Sequence, residues 1–143
     1  MTSNRFAAII DGDNLTQGGH LGLATVHHVF EEIAGRADGC PVAFAMQRKQ
    51  ALRYMSAYVD QGWGIRFASM APDAADHLLL EEAAFFLDHG VTDLWVASGD
   101  HAFSALAGHV RLHVLAYSRN LSRQLRRAAT SVHYLDGALL PAA

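Results

Sequence analysis

The sequence predicts a single α/β domain in which helices cover both faces of a mainly parallel β-sheet. Short apolar runs alternate with helix-like stretches along all 143 residues, which is the pattern of a parallel sheet buried between helices. The chain is long enough for one full core and too short for two ordinary domains. Because 51% of the residues are hydrophobic and only 17% are charged, a buried interior is expected rather than disorder. We therefore predict one three-layer domain over residues 1–143.

Six short apolar runs predict the strands. Each is bounded by polar or turn-forming residues, as expected of strands that are buried on both faces. In chain order they are Phe6–Ile10, Val42–Met46, Ile65–Ala68, Leu94–Ala97, Val110–Ala116 and Val132–Leu135.

Five stretches between these runs have the apolar spacing of helices. In chain order they are Leu23–Ala34, Gln50–Gln61, Asp76–Asp88, His101–Ala107 and Leu121–Ala129. Glycine-containing segments such as Gly18-Gly19 and Gly62-Trp63-Gly64 separate the elements, because glycine favours turns and helix ends. The chain therefore reads as a repeated β-α unit.

Charge and cysteine content narrow the class of protein. A formal net charge of -3 argues against a wholly basic nucleic-acid binder, although local patches can still attract phosphate. Cys40 is the only cysteine, so no disulfide can form within the chain, and a reducing compartment is expected. No apolar run approaches the ~20 residues of a membrane span, and no signal-peptide region precedes the first strand. The sequence thus predicts a cytoplasmic protein with no membrane partner.

Acidic residues follow two of the predicted strands. Asp11-Gly12-Asp13-Asn14 comes directly after the first strand, and Ser98-Gly99-Asp100 follows the fourth. Open α/β sheets bind their ligands at the carboxyl ends of the strands, so both segments are candidates for a site. If the two strands are neighbours, Asp11 and Asp100 lie close together and their charges need a cation. Mg²⁺ or Mn²⁺ is the natural partner, because both take carboxylate oxygens as ligands.

A third acid follows the third strand. Asp76 lies in the first turn of the predicted helix Asp76–Asp88, and Glu82 is the next candidate along that helix. At ~100° per residue, Glu82 lies about 240° around the helix from Asp76, so only its longer side chain would bring it to the crevice. A purely structural interpretation also stands, because Asp is common in turns and at helix N-caps and Glu on exposed helix faces.

Five ordered segments resemble the motifs of a known family. They are Ile10–Leu15, Asp76 with Glu82, Ser98–Phe103, Val114–Ser118 with Leu121 and Leu125, and Tyr134–Asp136. Together they span nearly the whole chain and are similar to the motifs of NYN domains, a branch of the PIN-like nuclease superfamily. The resemblance implies a Rossmann-like sheet with acids at its carboxyl edge, binding Mg²⁺ or Mn²⁺ and hydrolysing RNA phosphodiester bonds.

Specific roles follow from the chemistry of these residues. Asp11, Asp76 and Asp100 are expected to hold the cation, with Glu82 as a further ligand. Asn14 is expected to contact a phosphate oxygen or to hold Asp11 in place, and it is equally suited to cap a turn. Ser98 is expected to support the ligands in the same way.

Two segments depart from the pattern of the family. Ala102 stands where a second aspartate usually precedes the phenylalanine, and Asp73-Ala74-Ala75 replaces a lysine-glycine pair before the acid of the helix. Asp73 and Asp13 are the candidates to replace the missing charge. The departures leave open a non-catalytic module that binds RNA or protein.

Basic residues form two groups that predict RNA contacts. Arg119, Arg123, Arg126 and Arg127 fall within about 100° of arc on one predicted helix, with Leu125 on the opposite side. Arg48, Lys49 and Arg53 follow the second strand. Local positive charge of this kind binds phosphate backbones, although a solvated helix face has the same composition. Trp63 and Phe103 are the candidate aromatic residues for base stacking, and Phe103 is better suited to the core.

Two further alternatives concern activity and assembly. Asp11-Gly12-Asp13 after a strand also resembles the nucleophile and acid of haloacid-dehalogenase-like phosphatases, but Leu15 and Ser104 do not fit the rest of that pattern. The helix Asp76–Asp88 carries more apolar residues than one covered face requires, which indicates a possible homodimer.

Overall fold

Six parallel strands form one continuous sheet in the structure, a computed structural model that describes residues 4–140. The strands are β1 (Phe6–Asp11), β2 (Val42–Gln47), β3 (Ile65–Ala68), β4 (Asp93–Ala97), β5 (Arg111–Ala116) and β6 (Ser131–Tyr134). Their order across the sheet is β3-β2-β1-β4-β5-β6. All six predicted strands are confirmed, each to within one residue at either end.

The helices follow the predicted alternation. Three of the predicted helices differ in detail, and the short helix directly after β1 was not predicted. They are α1 (Gly12–Leu15), α2 (Leu23–Arg36), α3 (Arg48–Arg53), α4 (Met55–Asp60), α5 (Ala74–Asp88) and α6 (Arg123–Ala128), with 3₁₀ turns at His101–Leu106 and Asp136–Ala138. The single helix predicted over Gln50–Gln61 is therefore two helices. The break falls at Tyr54, whose buried side chain donates a hydrogen bond to the carbonyl of Leu21 at 2.5 Å.

The other two differences lie after β4 and β5. Residues His101–Leu106 form a 3₁₀ turn rather than an α-helix. The last α-helix begins at Arg123 and not at Leu121, because Ser122 caps it by accepting a hydrogen bond from the amide of Leu125 at 3.1 Å.

Two hydrophobic cores lie on opposite faces of the sheet and make the fold three-layered. Helices α2, α3 and α4 cover one face, around Phe30, Phe44 and Tyr54. Helices α5 and α6 cover the other face, around Leu79 and Phe103. The α/β architecture predicted from the sequence is therefore confirmed, with every strand of the described sheet parallel.

The strand order creates a crevice at the carboxyl ends of β1 and β4. The chain moves outward from β1 to β2 and β3, then returns to β4 on the other side of β1. Open sheets bind ligands at such a reversal, because the connections on the two sides diverge and leave space between them. None of the helices within residues 4–140 combines the length and apolar character required to cross a membrane.

Candidate functional site

An acidic cleft of about 270 Å³ opens at this reversal point. Its lining consists of Asp11, Asp13, Asn14, Gln47, residues 70–76 and Asp100. Five of these residues are aspartates, and no Lys, Arg or His among residues 4–140 lines the cleft. The cleft therefore concentrates negative charge. Outside its lining, Nδ1 of His101 lies 3.5 Å from a carboxylate oxygen of Asp100.

Asp11 reaches the cleft because of the alternation of side chains along β1. Ala7 and Ile9 face the core beneath α5, so Asp11, two residues further on, faces the same side of the sheet. Asp11 is only 3% exposed, and each of its carboxylate oxygens accepts one hydrogen bond. The donors are the hydroxyl of Ser98 at 2.9 Å and the backbone amide of Asn14 at 3.4 Å. A carboxylate oxygen has two lone pairs, so these bonds leave acceptor capacity toward the cleft.

Ser98 is a buried link between two acids rather than a lining residue. Its hydroxyl donates to Asp11 and accepts a hydrogen bond from the backbone amide of Asp100 at 3.1 Å. Parallel pairing brings the segment there, since Ile10 is level with Ala97 in the adjoining strands and the next residues are Asp11 and Ser98. Ser98 therefore fixes the position of the first acid relative to the third.

Asp100 both caps a turn and lines the cleft. Its side chain accepts a hydrogen bond from the amide of Ala102 at 2.9 Å, so it forms the N-cap of the 3₁₀ turn. Gly99 allows the close packing of this segment, because a Cβ atom there would lie 2.4 Å from the carbonyl oxygen of Asn120. The structural role expected for a capping aspartate is thus real and does not remove Asp100 from the cleft.

Asn14 and Asp13 tie the cleft wall to its neighbours. The side-chain oxygen of Asn14 accepts a hydrogen bond from the amide of Gly99 at 3.1 Å. The carboxylate of Asp13 accepts from the amide of Gln47, at 3.1 Å and 3.3 Å for its two oxygens. The segment after β1 is therefore held to the ends of both adjacent strands, β2 and β4.

Asp76 is a buried acid of the cleft that has few partners. It lies in the first turn of α5, is only 6% exposed and lines the cleft. Within residues 4–140, no N–H or O–H group outside the acids themselves contributes a hydrogen bond to its carboxylate. Its oxygens open to the cleft, since no fully buried side-chain oxygen among residues 4–140 lacks a partner. A mostly buried carboxylate without donors favours a cation or a proton beside it.

Asp73, at the start of α5, adds to the negative charge. Its backbone is left-handed, with φ at 61°, a conformation that Asp adopts more readily than most residues. It occupies the N-cap position, yet its side chain makes no capping hydrogen bond and instead lines the cleft. The carboxylate of Asp73 has no hydrogen-bond donor within residues 4–140, and its charge acts on Asp76.

Burial and mutual repulsion change the acidity of two of these groups. Burial raises the pKa of Asp11 from 3.8 to about 7, with the charge of Asp76 adding to the rise and the hydrogen bond from Ser98 opposing it. The pKa of Asp76 rises to about 6. Burial is the largest cause, and the charges of Asp100 and Asp73 add to the rise. Both carboxyl groups are therefore partly protonated near neutral pH when no cation balances them.

The carboxylate oxygens of the cleft are suitable ligands for a hard divalent cation. Oxygen ligands from carboxylates are the ligands that Mg²⁺ and Mn²⁺ prefer, and the three predicted acids line one cleft. Among residues 4–140, however, no three His, Cys, Asp or Glu side chains form a ready-made group of metal ligands. The cleft thus provides the charge and the ligand type without a closed coordination shell.

Glu82 does not join this group. Its carboxylate accepts a hydrogen bond from the guanidinium of Arg66 on β3 at 2.7 Å, and Glu82 does not line the cleft. The helical angle between positions 76 and 82 explains the difference, because it turns Glu82 toward the edge strand. The expectation that Glu82 is a metal ligand is therefore not matched by its position.

The two basic groups lie on either side of the acids along the carboxyl edge. Arg48 and Lys49 begin α3 directly after β2, whereas Arg119 lies in the turn after β5. Arg119 is therefore not part of a helical stripe, because the helix begins only at Arg123, which shares a helix face with Arg127. The exposed cations without an ion pair among residues 4–140 are Arg5, at the opposite end of the sheet, and Arg48, Lys49, Arg53, Arg119, Arg123, Arg126 and Arg127.

The burial of the apolar residues bears on two predictions, base stacking and dimerisation. Phe103 is buried in the core, as expected, and Trp63 is buried as well, so neither is available to stack on a base. In α5, Leu79 and Phe86 are buried, and Phe85 remains 55% exposed. The apolar excess that indicated a homodimer is thus mostly absorbed by the core, and a homodimer stays a prediction.

Sequence reasoning did not name two parts of the cleft wall. Gln47 and the Met70–Pro72 loop line the cleft together with the acids. Gln47 carries a usable signal, because it follows a buried strand as Asp11 does. The loop carries none beyond its position after β3.

Comparisons with known proteins define the fold and leave the family open. No protein-family model matches the chain, and no curated protein matches it. The crystal structure of a protein of unknown function from Vibrio parahaemolyticus is similar, with a TM-score of 0.71 and 15% sequence identity. The similarity covers 99% of this chain and 100% of that one. The chain therefore shares its whole fold with that protein.

Proposed function

We propose that the protein is a metal-dependent ribonuclease of the NYN type, acting at the acidic cleft in the cytoplasm. The observation that carries the proposal is the convergence of Asp11, Asp76 and Asp100 on one cleft, with Asp76 buried and without a hydrogen-bond donor. Carboxylates held together in this way need a positive partner. A divalent cation bound with a substrate phosphate supplies one.

The roles of the residues follow from their contacts. Asp11, Asp76 and Asp100 would hold Mg²⁺ or Mn²⁺, with Asp13 or Asp73 supplying the charge that Ala102 lacks. When bound, such a cation stabilises negative charge on a phosphodiester and lowers the pKa of water. Ser98 would keep Asp11 and Asp100 at a fixed separation through its two hydrogen bonds.

Asn14 is proposed to combine a structural and a substrate role. Its side-chain oxygen is engaged by Gly99 and the residue lines the cleft, so the amide hydrogens are the side-chain donors left for a substrate. An amide N–H donates readily to a phosphate oxygen. Asn14 would therefore orient the substrate phosphate beside the three acids.

RNA is the proposed substrate because unpaired cations flank the acids. The basic residues proposed to bind its phosphates are Arg48, Lys49, Arg119, Arg123 and Arg127. The β2 and β5 strands that carry the two groups are three strand spacings apart, about 14 Å, with β1 and β4 between them. A chain of phosphates bound to both groups would cross the acidic cleft.

The test is cleavage of single-stranded RNA with Mn²⁺, compared with EDTA, by the parent protein and by Asp11→Asn and Asp100→Asn variants. We expect cleavage by the parent and a loss on the order of 100-fold or more in each variant, comparable to the removal of a strong transition-state contact. Glu82→Gln is the matched control, because Glu82 is acidic but pairs with Arg66 outside the cleft. Equal cleavage by the parent and both cleft variants would refute the metal-site assignment.

A non-catalytic binding module is the second candidate, and Ala102 favours it. The amide of Ala102 is bound by Asp100, and its methyl group supplies no ligand where the family usually has an acid. RNA binding without cleavage in Mn²⁺ would identify this case. The phosphatase alternative has less support, since Asp13 is bound to the amide of Gln47 rather than free to act as an acid.

A further inference from the structure

A half-exposed phenylalanine lies at the end of the edge strand that leads into the acidic cleft. Phe67 is the penultimate residue of β3 and is 51% exposed. Aromatic side chains of this size are normally buried, and Trp63 and Phe103 follow that rule here. An exposed ring at the carboxyl edge of the sheet is therefore a candidate contact surface.

The sheet register places Phe67 at the same carboxyl edge as the cleft, although its ring lies on the face of the sheet that α2–α4 cover and Asp11 faces α5. Phe67 is level with Met46 in the neighbouring strand, and the next residue in that strand, Gln47, lines the cleft. Three residues beyond Phe67, Met70 also lines the cleft. The strands β3 and β1 are two strand spacings apart, on the order of 10 Å, so one short oligonucleotide can reach both.

A cation without an acidic partner adjoins the ring. The guanidinium carbon of Arg48 lies over the Phe67 ring, 5.8 Å from its centre and within the range of a cation–π contact, so a base must stack on the face away from Arg48. Lys49 follows on the same exposed end of α3, and neither residue has an ion pair among residues 4–140. An aromatic face next to unpaired cations is the combination that binds a nucleobase and its phosphate.

Charge also argues against a protein surface as the occupant. An apolar protein patch seated on Phe67 would desolvate Arg48 and Lys49 without offering them a negative partner. A single-stranded nucleic acid offers an apolar base face and an anionic phosphate together. In duplex RNA the bases are stacked on each other, so their faces are not available to the ring.

We propose that Phe67 is a stacking platform for an unpaired base of single-stranded RNA, with Arg48 and Lys49 holding the adjacent phosphates. The inference rests on the proposed function, and it specifies that the substrate is unpaired where it crosses the end of β3. Phe67 is then a determinant of specificity for single strands and takes no part in hydrolysis.

The test measures binding of labelled single-stranded and duplex RNA oligonucleotides by fluorescence anisotropy in EDTA, which keeps cleavage out of the measurement. Phe67→Ala and Phe67→Leu are each expected to weaken single-strand binding about tenfold or more, the usual effect of losing one stacking contact, with no change for the duplex. Phe67→Trp is expected to retain binding, and the fluorescence of the new tryptophan is expected to fall when RNA stacks on it. Phe67→Leu keeps an apolar side chain at this position, so it separates stacking from simple burial.

Phe85→Ala is the matched control. Phe85 is exposed to a similar extent, but it lies nine residues after Asp76 on α5, about 13 Å further along the helix and away from the cleft. Its ring already packs on the His89 ring, with the two ring centres 4.1 Å apart. We expect this variant to bind both RNAs as the parent does.

The outcomes separate this inference from the proposed function. Cleavage that depends on Mn²⁺, together with unchanged single-strand binding by Phe67→Ala, overturns the platform and leaves the nuclease standing. Loss of binding in Phe67→Ala without any cleavage by the parent supports the platform and overturns the nuclease. If Phe67→Ala instead changes the oligomeric state in sedimentation without changing RNA affinity, a second copy of the chain covers the ring and the platform is overturned. If the parent binds no single strand, the platform is also overturned, and the cleavage assay alone decides the function.

Discussion

Replacing Asp76 by Asn is expected to stabilise the protein at alkaline pH while removing its response to metal. The carboxylate of Asp76 is buried beside other acids and has no hydrogen-bond donor within residues 4–140 apart from a neighbouring carboxyl group. Ionising it in the folded protein is therefore unfavourable. Asn has nearly the same shape and carries no charge.

The magnitude follows from the raised pKa. A pKa that rises from 3.8 to about 6 corresponds to about 3 kcal/mol, at 1.36 kcal/mol per pH unit. The pKa of Asp76 is higher in the folded protein than in the unfolded chain. Its contribution to the unfolding free energy is therefore fully present only below about pH 4. That stability is lost as the pH rises through 6. Asp76→Asn is thus expected to gain up to about 3 kcal/mol of unfolding free energy at pH 8 and almost nothing at pH 4.

Urea unfolding of the parent and the variant at pH 4, 6 and 8, each in EDTA and in Mn²⁺, provides the assay. In EDTA the variant should gain stability with rising pH relative to the parent. Adding Mn²⁺ at 100 times its dissociation constant should raise the unfolding free energy of the parent by about 2.7 kcal/mol. The unfolding free energy of the variant should not change. Glu81→Gln on the exposed side of α5 is the control. Its difference in stability from the parent should change neither with pH in EDTA nor on addition of Mn²⁺.

A variant that is less stable than the parent at pH 8 in EDTA would refute this reasoning, since it would mean that the folded protein already stabilises the ionised form of Asp76. A difference that is the same at all three pH values would refute it as well, because the effect must follow the titration. Equal stabilisation of parent and variant by Mn²⁺ would place the metal elsewhere.

Three further predictions concern the support and the surroundings of the cleft. Ser98→Ala should weaken Mn²⁺ affinity 10- to 100-fold in calorimetry, because the hydroxyl positions Asp11, and unchanged affinity would show that Ser98 has no such role. Gly99→Ala should lower the unfolding free energy by about 1–3 kcal/mol, because a Cβ atom there meets backbone at 2.4 Å; a neutral result in urea unfolding would mean that the loop moves freely. Combined replacement of Arg123 and Arg127 by Ala should make the salt dependence of single-strand RNA binding less steep by about 1.4 in the log–log slope, and an unchanged slope would make these arginines a solvated surface.

The sheet and the meeting of Asp11 with Asp100 could be predicted from the sequence because both depend on strand properties. Apolar runs identify buried strands, and parallel strands place their carboxyl ends at one edge. The pairing of β1 with β4 then brings the two acids together. Alternation along β1 explains why Asp11 faces α5, where Asp76 lies.

The features that sequence reasoning missed depend on local contacts. The N-cap at Ser122 decides that the last helix begins too late to include Arg119. The ion pair with Arg66 decides that Glu82 leaves the group of acids, and this partner is distant along the chain. The exposure of Phe67 depends on which strand forms the edge of the sheet, and no local pattern in the sequence reveals that position.

The central claim is that Asp11, Asp76 and Asp100 share one divalent cation, and anomalous X-ray scattering from crystals grown with Mn²⁺ at pH 8 tests it most directly. We predict an anomalous peak within the cleft, in contact with oxygens of all three carboxylates, that is absent from crystals of Asp76→Asn. A cleft that contains no peak at millimolar Mn²⁺, or a peak bound only outside it, would contradict the account.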